Sequence, residues 1–456
     1  MIHQTNQTIA AIATAPGVGA IGTIRLSGMD AIAITDKIFK GKKLADQASH
    51  TLHFGHIVAP SREEGKESEV IDEVVVSLFK TPKSYTGEDV VEISGHGSPF
   101  ILNRILEMTL EAGARLALPG EFTQRAFLHG KMDLAQAEAV ADLIAADSKA
   151  AQQTALKQLR GGFSNDLKSL REEMIHFAAL IELELDFSEE DVEFADRAAL
   201  LKLISRLNIR ISNLLDSFQL GNVIKQGVRV AIIGKPNAGK STLLNALLNE
   251  ERAIVSDIAG TTRDTIEETL NINGILFRLI DTAGIREHST DIIENLGIER
   301  SKQNADQAHL ILHLMDATDD TDENTAWLKQ YDEKTIMVFN KTDLIAPPSH
   351  SLPYLSISAK ERKGIDPLKQ EMYRKAIGDS VNTENTIITN ARHHQALQKT
   401  LACLQDIDLA MQQNISGELL ALDIRRCLHY LGEITGEVEV DRDILGTIFG
   451  KFCIGK

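Results

Sequence analysis

Gly234-Lys-Pro-Asn-Ala-Gly239-Lys240-Ser241 has the spacing of a phosphate-binding loop. In such a loop backbone N–H groups and a helix N-terminus cradle the phosphates, the lysine reaches the β- and γ-oxygens, and the hydroxyl ligates Mg²⁺. A chance match in a chain of this length arises on the order of one or two times in a hundred. Here the context also fits, because the strand-like run 228–233 precedes it and Leu243, Leu244 and Leu247 follow at helical spacing. Asp281-Thr282-Ala283-Gly284 comes after the run 276–280, which puts a carboxylate near Mg²⁺ and a glycine N–H near the γ-phosphate. Asn340-Lys341-Thr342-Asp343 comes after the run 335–339. An aspartate there accepts from the N1–H and 2-amino groups of guanine, donors that adenine does not offer in that position. Ser358-Ala359-Lys360 closes the base pocket, and Gly260-Thr261-Thr262-Arg263-Asp264 supplies a second hydroxyl for Mg²⁺ from Thr261 or Thr262. The short patterns are weak singly; all of them in one order imply a site for binding and hydrolysing GTP. The nucleotide-contacting set is then Asn237, Ala238, Gly239, Lys240, Ser241 and Thr242 with the later motifs.

The residue after the glycine of Asp281-x-x-Gly284 sets the style of hydrolysis. Ras-type GTPases place a water-orienting glutamine there, whereas this chain has Ile285, which cannot hydrogen-bond. Another group must orient the water. Arg263 and Arg286 are candidates for an arginine finger, although a lone arginine beside a nucleotide loop is more often solvated or ion-paired. The amide oxygen of Asn237 offers another solution, a monovalent cation held against the phosphates.

These motifs need a parallel sheet with helices, and the strand-like runs 228–233, 276–280, 310–315, 335–339 and 354–358 alternate with helical stretches as βαβ units do. On either side apolar residues recur at helical spacing: Leu134, Ala137, Ala141, Ile144; Leu167, Leu170, Met174, Phe177, Ile181; Leu200, Ile204, Leu207, Ile211, Leu214; and, after 378, Leu397, Leu401, Leu404, Met411 and Leu420, Ile424, Cys427, Leu431. Before residue 120, β-rich runs at 9–13, 21–26, 74–79 and 90–93 surround one helix near 100–111. The expected fold is an α/β and α multidomain chain. It comprises an α+β domain (1–119), a helical bundle in two segments (120–226 and 379–456), and an inserted Ras-like P-loop domain (227–378).

The 456 residues are about three times the roughly 150-residue prior for one domain. At 43% hydrophobic and 25% charged, the composition is that of a globular protein rather than a disordered or collagenous one. No apolar run has the length of a membrane span and residues 1–20 lack signal-peptide character, so a cytoplasmic, membrane-free protein is expected. Three cysteines without a CxxC pair exclude a disulfide framework or a Cys-based zinc site. A net charge of −17 repels phosphate backbones at long range, so bulk charge does not recruit a nucleic acid.

Further runs carry a family resemblance: Ala13-Thr-Ala-Pro-Gly-Val-Gly-Ala-Ile-Gly-Thr-Ile-Arg25-Leu-Ser-Gly28, Tyr85-Thr-Gly-Glu-Asp-Val-Val-Glu92-Ile-Ser-Gly-His-Gly97, Pro119-Gly-Glu-Phe-Thr-Gln-Arg-Ala-Phe127, Gly130-Lys131-Met-Asp-Leu-Ala-Gln-Ala-Glu138-Ala-Val-Ala-Asp142 and Phe452-Cys453-Ile-Gly-Lys456. With the nucleotide motifs, they make the chain resemble the MnmE (TrmE) family of tRNA-modifying GTPases over essentially its full length. The resemblance implies a homodimer that works with an FAD-containing partner, MnmG, on the wobble uridine of certain tRNAs. It also implies a folate, 5-formyltetrahydrofolate or a related one-carbon carrier, in the N-terminal domain beside Arg25, Glu92, Lys131 and Lys456, with Cys453 close enough to assist one-carbon chemistry. By residue type alone those four charges read as surface groups or ion pairs. The G domains of this family dimerise across the nucleotides with K⁺, which here implies ligands from Asn237 and the loop Ser256-Asp257-Ile258-Ala259-Gly260-Thr261, chiefly Ser256, Ile258 and Thr261, and Thr262 on Mg²⁺. A glutamate after Asp281-x-x-Gly284 positions the water; alignment on Gly297-Ile-Glu-Arg300 makes it Glu294. The segment here is one residue longer than the usual pattern, which leaves Glu287 and Asp291 as rivals, and Arg263 remains a catalytic candidate. The competing function classes are a GTP-driven assembly switch, which KH-type modules or basic tails would favour and which are not seen, and a nucleotide-controlled scaffold.

Overall fold

The structure, a computed structural model, describes residues 7–59, 69–186, 197–248, 268–280, 294–319, 326–346, 353–378, 386–413, 417–437, 448–450 and 452–455. Two compact units arise from the chain: Met1–Ala141 with Leu159–Leu167 and Leu431–Lys456, and Asp142–Gln158 with Lys168–Tyr430.

The first unit holds β1 (Ile9–Ile12), β2 (Ile21–Ser27), α1 (Ala31–Ile38), β3 (Phe39–Lys40), β4 (Thr51–Ala59), β5 (Glu69–Phe79), β6 (Val90–His96), α2 (Pro99–Glu111), β7 (Arg115–Leu116), α3 (Glu121–Leu128) and the start of α4 (Leu134–Ile144). The seven strands run in the order β3-β4-β5-β6-β2-β1-β7, antiparallel except for the β1–β7 pair. Alternation along the strands divides the two faces. Ile24, Leu26, Val74, Val76, Val91 and Ile93 join Ile34, Ile38, Ile105 and Met108 of α1 and α2 in one buried core. The alternate positions carry Thr23, Arg25, Glu92 and Ser94, with Arg25 directly opposite Glu92 and Thr23 opposite Ser94. Strand β4 inverts the expected code: Leu52 and Phe54 are 70% and 66% exposed, while His53 is buried and its ring bonds the Thr51 hydroxyl. That inversion is why residues 51–59 do not read as a half-buried strand.

Beneath α3, Arg125 grips both oxygens of Glu88 at 3.0–3.1 Å, the Gln7 carbonyl at 2.8 Å and Glu121 at 3.0 Å, and Glu121 takes Arg115 at 2.6 Å. Paired forks of this kind are how buried charges are tolerated. Phe449 and Phe452 close a further small core over Leu134, Ala137 and Val140.

The second unit holds α5 (Lys149–Leu159), most of α6 (Gly162–Asp186), α7 (Arg197–Gln226), β8 (Val228–Ile233), α8 (Lys240–Leu248), β9 (Glu268–Ile272), β10 (Ile275–Leu279), α9 (Glu294–Gln307), β11 (Leu310–Asp316), β12 (Thr335–Asn340), β13 (Tyr354–Ser356), α10 (Ile365–Ile377), α11 (Ala391–Gln412) and most of α12 (Gly417–Thr435). Its six-stranded sheet has the order β13-β12-β11-β8-β10-β9, parallel except for β9. The central strands are buried on both faces, so β8, β11 and β12 are nearly continuous apolar runs. A parallel sheet brings the carboxyl ends of its strands to one edge, where ligands bind. Leu200, Ile204, Leu207, Ile211 and Leu214 of α7 are buried, as their spacing predicts. Among the described residues no helix is long and apolar enough to cross a membrane.

Candidate functional site

Strand β8 ends at Ile233 and α8 begins at Lys240, and the loop between them turns with positive φ at Asn237 (66°) and Gly239 (95°). Glycine is required at 239 for space as well as for conformation, since a Cβ there would lie 2.2 Å from Asn340 Nδ2. Asn340 is 3% exposed and uses both ends of its carboxamide. Nδ2 donates to the Ala238 carbonyl at 2.9 Å, and Oδ1 accepts from the Ala359 N–H at 3.0 Å. One buried side chain thus ties the phosphate loop, the Asn340–Asp343 turn and the Ser358–Lys360 turn together. Lys240 donates to the Gly234 and Lys235 carbonyls at 2.6 and 3.0 Å, and burial pulls its ammonium below the usual lysine range. It is held at the mouth of the loop, where a phosphate oxygen is a stronger partner than a carbonyl.

At the base end Asp343 is exposed, and its Oδ1 accepts from the buried Ser358 hydroxyl at 2.6 Å. That bond, aided by the charges of Lys360 and Lys363, holds the carboxyl below the usual aspartate range, so it stays an acceptor. Thr342 Oγ1 donates to the Ile357 carbonyl at 2.9 Å, which fixes this turn to the strand end. Lys341 has φ 65°, and its ammonium meets Asp316 Oδ2 at 2.5 Å. Asp316 in turn accepts from the Thr318 N–H and hydroxyl at 3.0 and 2.7 Å. Burial pushes the Asp316 carboxyl up, but Lys341 and Thr318 outweigh it and hold the group below its usual range. Sequence spacing does not single out Asp316. The available signal is an aspartate closing an apolar strand in register with the strand that ends on Asn340.

Ser241 and Thr242 lie in the first turn of α8. Ser256, Asp257, Ile258, Ala259, Gly260, Thr261, Thr262, Arg263, Asp281, Thr282, Ala283, Gly284, Ile285, Arg286, Glu287, Asp291 and Lys456 lie outside the described residues. Glu294 opens α9, and its side chain is likewise outside them.

On the first unit's sheet, Arg25 donates from Nε and Nη2 to the same Glu92 oxygen at 2.8 and 2.7 Å, and from Nη1 to the Gly455 carbonyl at 3.4 Å. The Tyr85 and Phe122 rings each lie 5.7 Å from its guanidinium. Burial pushes the Tyr85 phenol up, and its hydroxyl pairs with Thr123 at 2.9 Å. Arg25, Glu92 and residue 455 are therefore brought together. Lys131 instead donates to the Pro82 carbonyl at 2.8 Å, and Cys453 is exposed.

Comparison with known proteins covers both units. The family model for the GTP-binding protein TrmE N-terminus matches residues 8–131, and that for the MnmE helical domain matches residues 134–453. The tRNA modification GTPase MnmE of Cytophaga hutchinsonii is 52% identical over 98% of each chain. Its counterpart in Bacteroides thetaiotaomicron is 51% identical over 98% of this chain and 99% of its own, and that of Flavobacterium johnsoniae 48% identical over 100% of both. With half of its residues shared end to end and both family models matched, the chain belongs to the MnmE family of tRNA modification GTPases.

Proposed function

We propose that this protein is a K⁺-dependent GTPase that acts in the cytoplasm as a homodimer with an FAD-containing MnmG partner. Together they modify C5 of the wobble uridine of certain tRNAs, in a carboxymethylaminomethyl-type reaction that draws on a folate one-carbon unit. The observation that carries the GTPase half is Asn340, which locks the phosphate loop to both base-reading turns. The relatives' shared name as tRNA modification GTPases supports the other half. Residues 1–119 would serve as the folate-binding and dimerising domain, 120–226 with 379–456 as the helical domain, and 227–378 as the G domain.

On this reading the loop N–H groups and Lys240 bind the phosphates and Asp343 selects guanine. Glu294 or a neighbouring acid orients water, whose oxygen attacks the γ-phosphorus as the bond to the β-γ bridging oxygen breaks, giving GDP and phosphate. Ser241 and Thr262 would hold Mg²⁺; the hydroxyl of Ser241 follows Lys240 in the first turn of α8, and an oxygen donor there suits a hard cation. When bound there, Mg²⁺ would supply neutralisation of the phosphate charge. Asn237 is exposed on the loop, and with the carbonyls of Ser256, Ile258 and Thr261 it would hold K⁺ in place of an arginine finger, a role for which Arg263 is the alternative. The half-buried Arg25–Glu92 pair, flanked by two aromatic rings, suits a flat heteroaromatic ring bearing N–H donors.

Removing an arginine finger costs on the order of a thousandfold in other GTPases, so exchanging K⁺ for Na⁺ should slow turnover by a comparable factor. Equal GTP turnover in the two salts, or an Asn237→Ala variant with an unchanged K⁺ response, contradicts the cation assignment. The wider reading is tested by the wobble-uridine modification profile of tRNA from cells lacking the protein; an unaltered profile overturns it.

A further inference from the structure

In the six-stranded sheet β11 lies between β8, which runs into the phosphate loop, and β12, which runs into the base-reading turn. Neighbouring strands are about 4.8 Å apart, so a ligand reaching from the phosphate loop to Asp343 spans two such steps, about 10 Å, and passes over the carboxyl end of β11. The residue at that end is Asp316, in register with Asn340. The phosphate loop leaves β8 hard against the same strand, since a Cβ at Gly234 would lie 2.2 Å from the Leu314 carbonyl oxygen. Three residues past Asp316, Asp319 meets Lys235 of that loop at 3.3 Å. Asp316 therefore stands under the middle of the path, the part of a nucleotide that carries the sugar and the glycosidic bond.

Lys341 sits between Asn340 and Asp343 in the base-reading turn with φ at 65°, a left-handed conformation that residues with a Cβ adopt at a cost. Its ammonium reaches back to the neighbouring strand end and meets Asp316 Oδ2 at 2.5 Å, so the four-carbon stem is drawn along the edge of the sheet rather than out into water. The lysine side chain is 33% exposed and the aspartate 15%. Asp316 is itself fixed, because Thr318 donates to Oδ1 through both its N–H and its hydroxyl and leaves Oδ2 to the lysine. On the other side of the turn Thr342 is tied to the Ile357 carbonyl. An ion pair near the surface adds little stability, which does not account for a left-handed lysine and a carboxylate held by three bonds. What the arrangement achieves is a fixed course for a long, freely rotating side chain. A stem ordered before the ligand arrives offers it an apolar surface without losing that entropy on binding.

We propose that Asp316 is a positioning residue of the nucleotide site, which holds the Lys341 ammonium at the end of β11 so that the lysine stem forms an apolar floor for the guanine nucleoside. This deepens the GTPase reading above and rests on its placing the phosphates at Lys240 and the base at Asp343. Asp316 touches no part of the ligand and acts only through Lys341. The two carboxylates of the site then have separable tasks. Asp343 reads the edge of the base and so sets the preference for guanine, whereas Asp316 maintains a floor that serves any purine nucleoside and so sets affinity without selecting.

The test measures the affinity of the full-length protein for GDP and for inosine diphosphate, which lacks the 2-amino group, by competition with a fluorescent GDP analogue. Asp316→Asn keeps an oxygen for Thr318 and removes only the charged partner of Lys341. It should weaken both nucleotides about tenfold, the scale of ordering one long side chain on binding, and leave their ratio unchanged. In a Lys341→Met background, where no ammonium remains to be held, Asp316→Asn should change GDP affinity by less than about twofold. Thr318→Val, which strips the hydroxyl bond from Oδ1, should give a smaller loss in the native background and none in the Lys341→Met background. Normal GDP affinity in Asp316→Asn overturns the proposal. An equal loss in both backgrounds, or an altered ratio of the two nucleotides, overturns it by marking Asp316 as a merely structural residue. A Lys341→Met protein far weaker than Asp316→Asn also overturns it, by showing that the ammonium itself binds the ligand. Should Asp316→Asn lack the native melting transition, Thr318→Val carries the same comparison. A native protein that binds no guanine nucleotide overturns the nucleotide reading itself, and the proposal with it.

Discussion

Asp343 sits exposed with Oδ1 fixed by Ser358, which aims a charged acceptor without burying it. Asp343→Asn replaces an acceptor by a donor facing the guanine N–H groups. It should cost about 2–3 kcal/mol of guanine-nucleotide affinity, roughly a hundredfold, with partial recovery on xanthosine nucleotides. A titration showing undiminished GTP affinity removes Asp343 from the base site. Glu121 provides the pH-dependent case in the first unit. Burial pushes its carboxyl up, but the Arg115 bond, the Leu118 N–H and the charges of Arg115 and Arg125 outweigh it, and the folded-state pKa lies below the unfolded one. The stability it contributes is therefore complete above the usual carboxylate pKa and is lost as pH falls through the folded value. Denaturant melts from neutral to acid pH should show that loss, and Glu121→Gln should flatten this part of the acid limb while costing about 1–3 kcal/mol at neutral pH, because Arg115 loses its charged partner and Arg125 keeps only Glu88 and the Gln7 carbonyl. Nothing in the sequence marks Arg125 as buried. An arginine among polar residues reads as surface, and only the convergence of Glu88, Glu121 and Gln7 shows otherwise.

At the level of elements, the phosphate loop depends on a contact rather than on flexibility. Gly239→Ala would put a methyl against Asn340 Nδ2 and an L-residue at φ 95°. Backbone strain of about 1–3 kcal/mol should appear, either as lost stability or as nucleotide affinity reduced at least about tenfold. A fluorescent-GDP titration and a melting curve together would expose a harmless substitution. This part of the site was legible because Gly239, Asn340 and Ser358 each terminate or follow a strand-like run, nearly all apolar in β8 and β12. Strand β4 was not legible, because His53 and Gly55 occupy its inward positions and Leu52 and Phe54 its outward ones. A bulge in the β4–β5 pairing at Ile71 was equally hidden, since a one-residue slip leaves no mark in local composition. The pairing of Lys341 with Asp316 joins two strand ends that periodicity locates but does not connect.

At the scale of the whole molecule, the described residues proposed to contact the nucleotide belong to one compact unit, and Arg25, Glu92 and Gly455 to the other. Deleting residues 452–456 should leave K⁺-stimulated GTP hydrolysis nearly intact and abolish wobble-uridine modification, with Cys453→Ser as the narrower probe of the thiol. Normal modification by the deletion variant would show that Cys453 and Lys456 are dispensable. The same arrangement bears on how the protein is made. Phe449 and Phe452 complete a core whose other side, Phe127, Leu134, Ala137 and Val140, leaves the ribosome hundreds of residues earlier. At ordinary translation speeds the interval is on the order of tens of seconds. Throughout it Leu134 and its neighbours must wait uncovered, and a chain released before residue 448 never covers them. The first unit therefore distinguishes finished from unfinished copies, and a prematurely terminated copy presents to chaperones and proteases the apolar surface that marks it for removal.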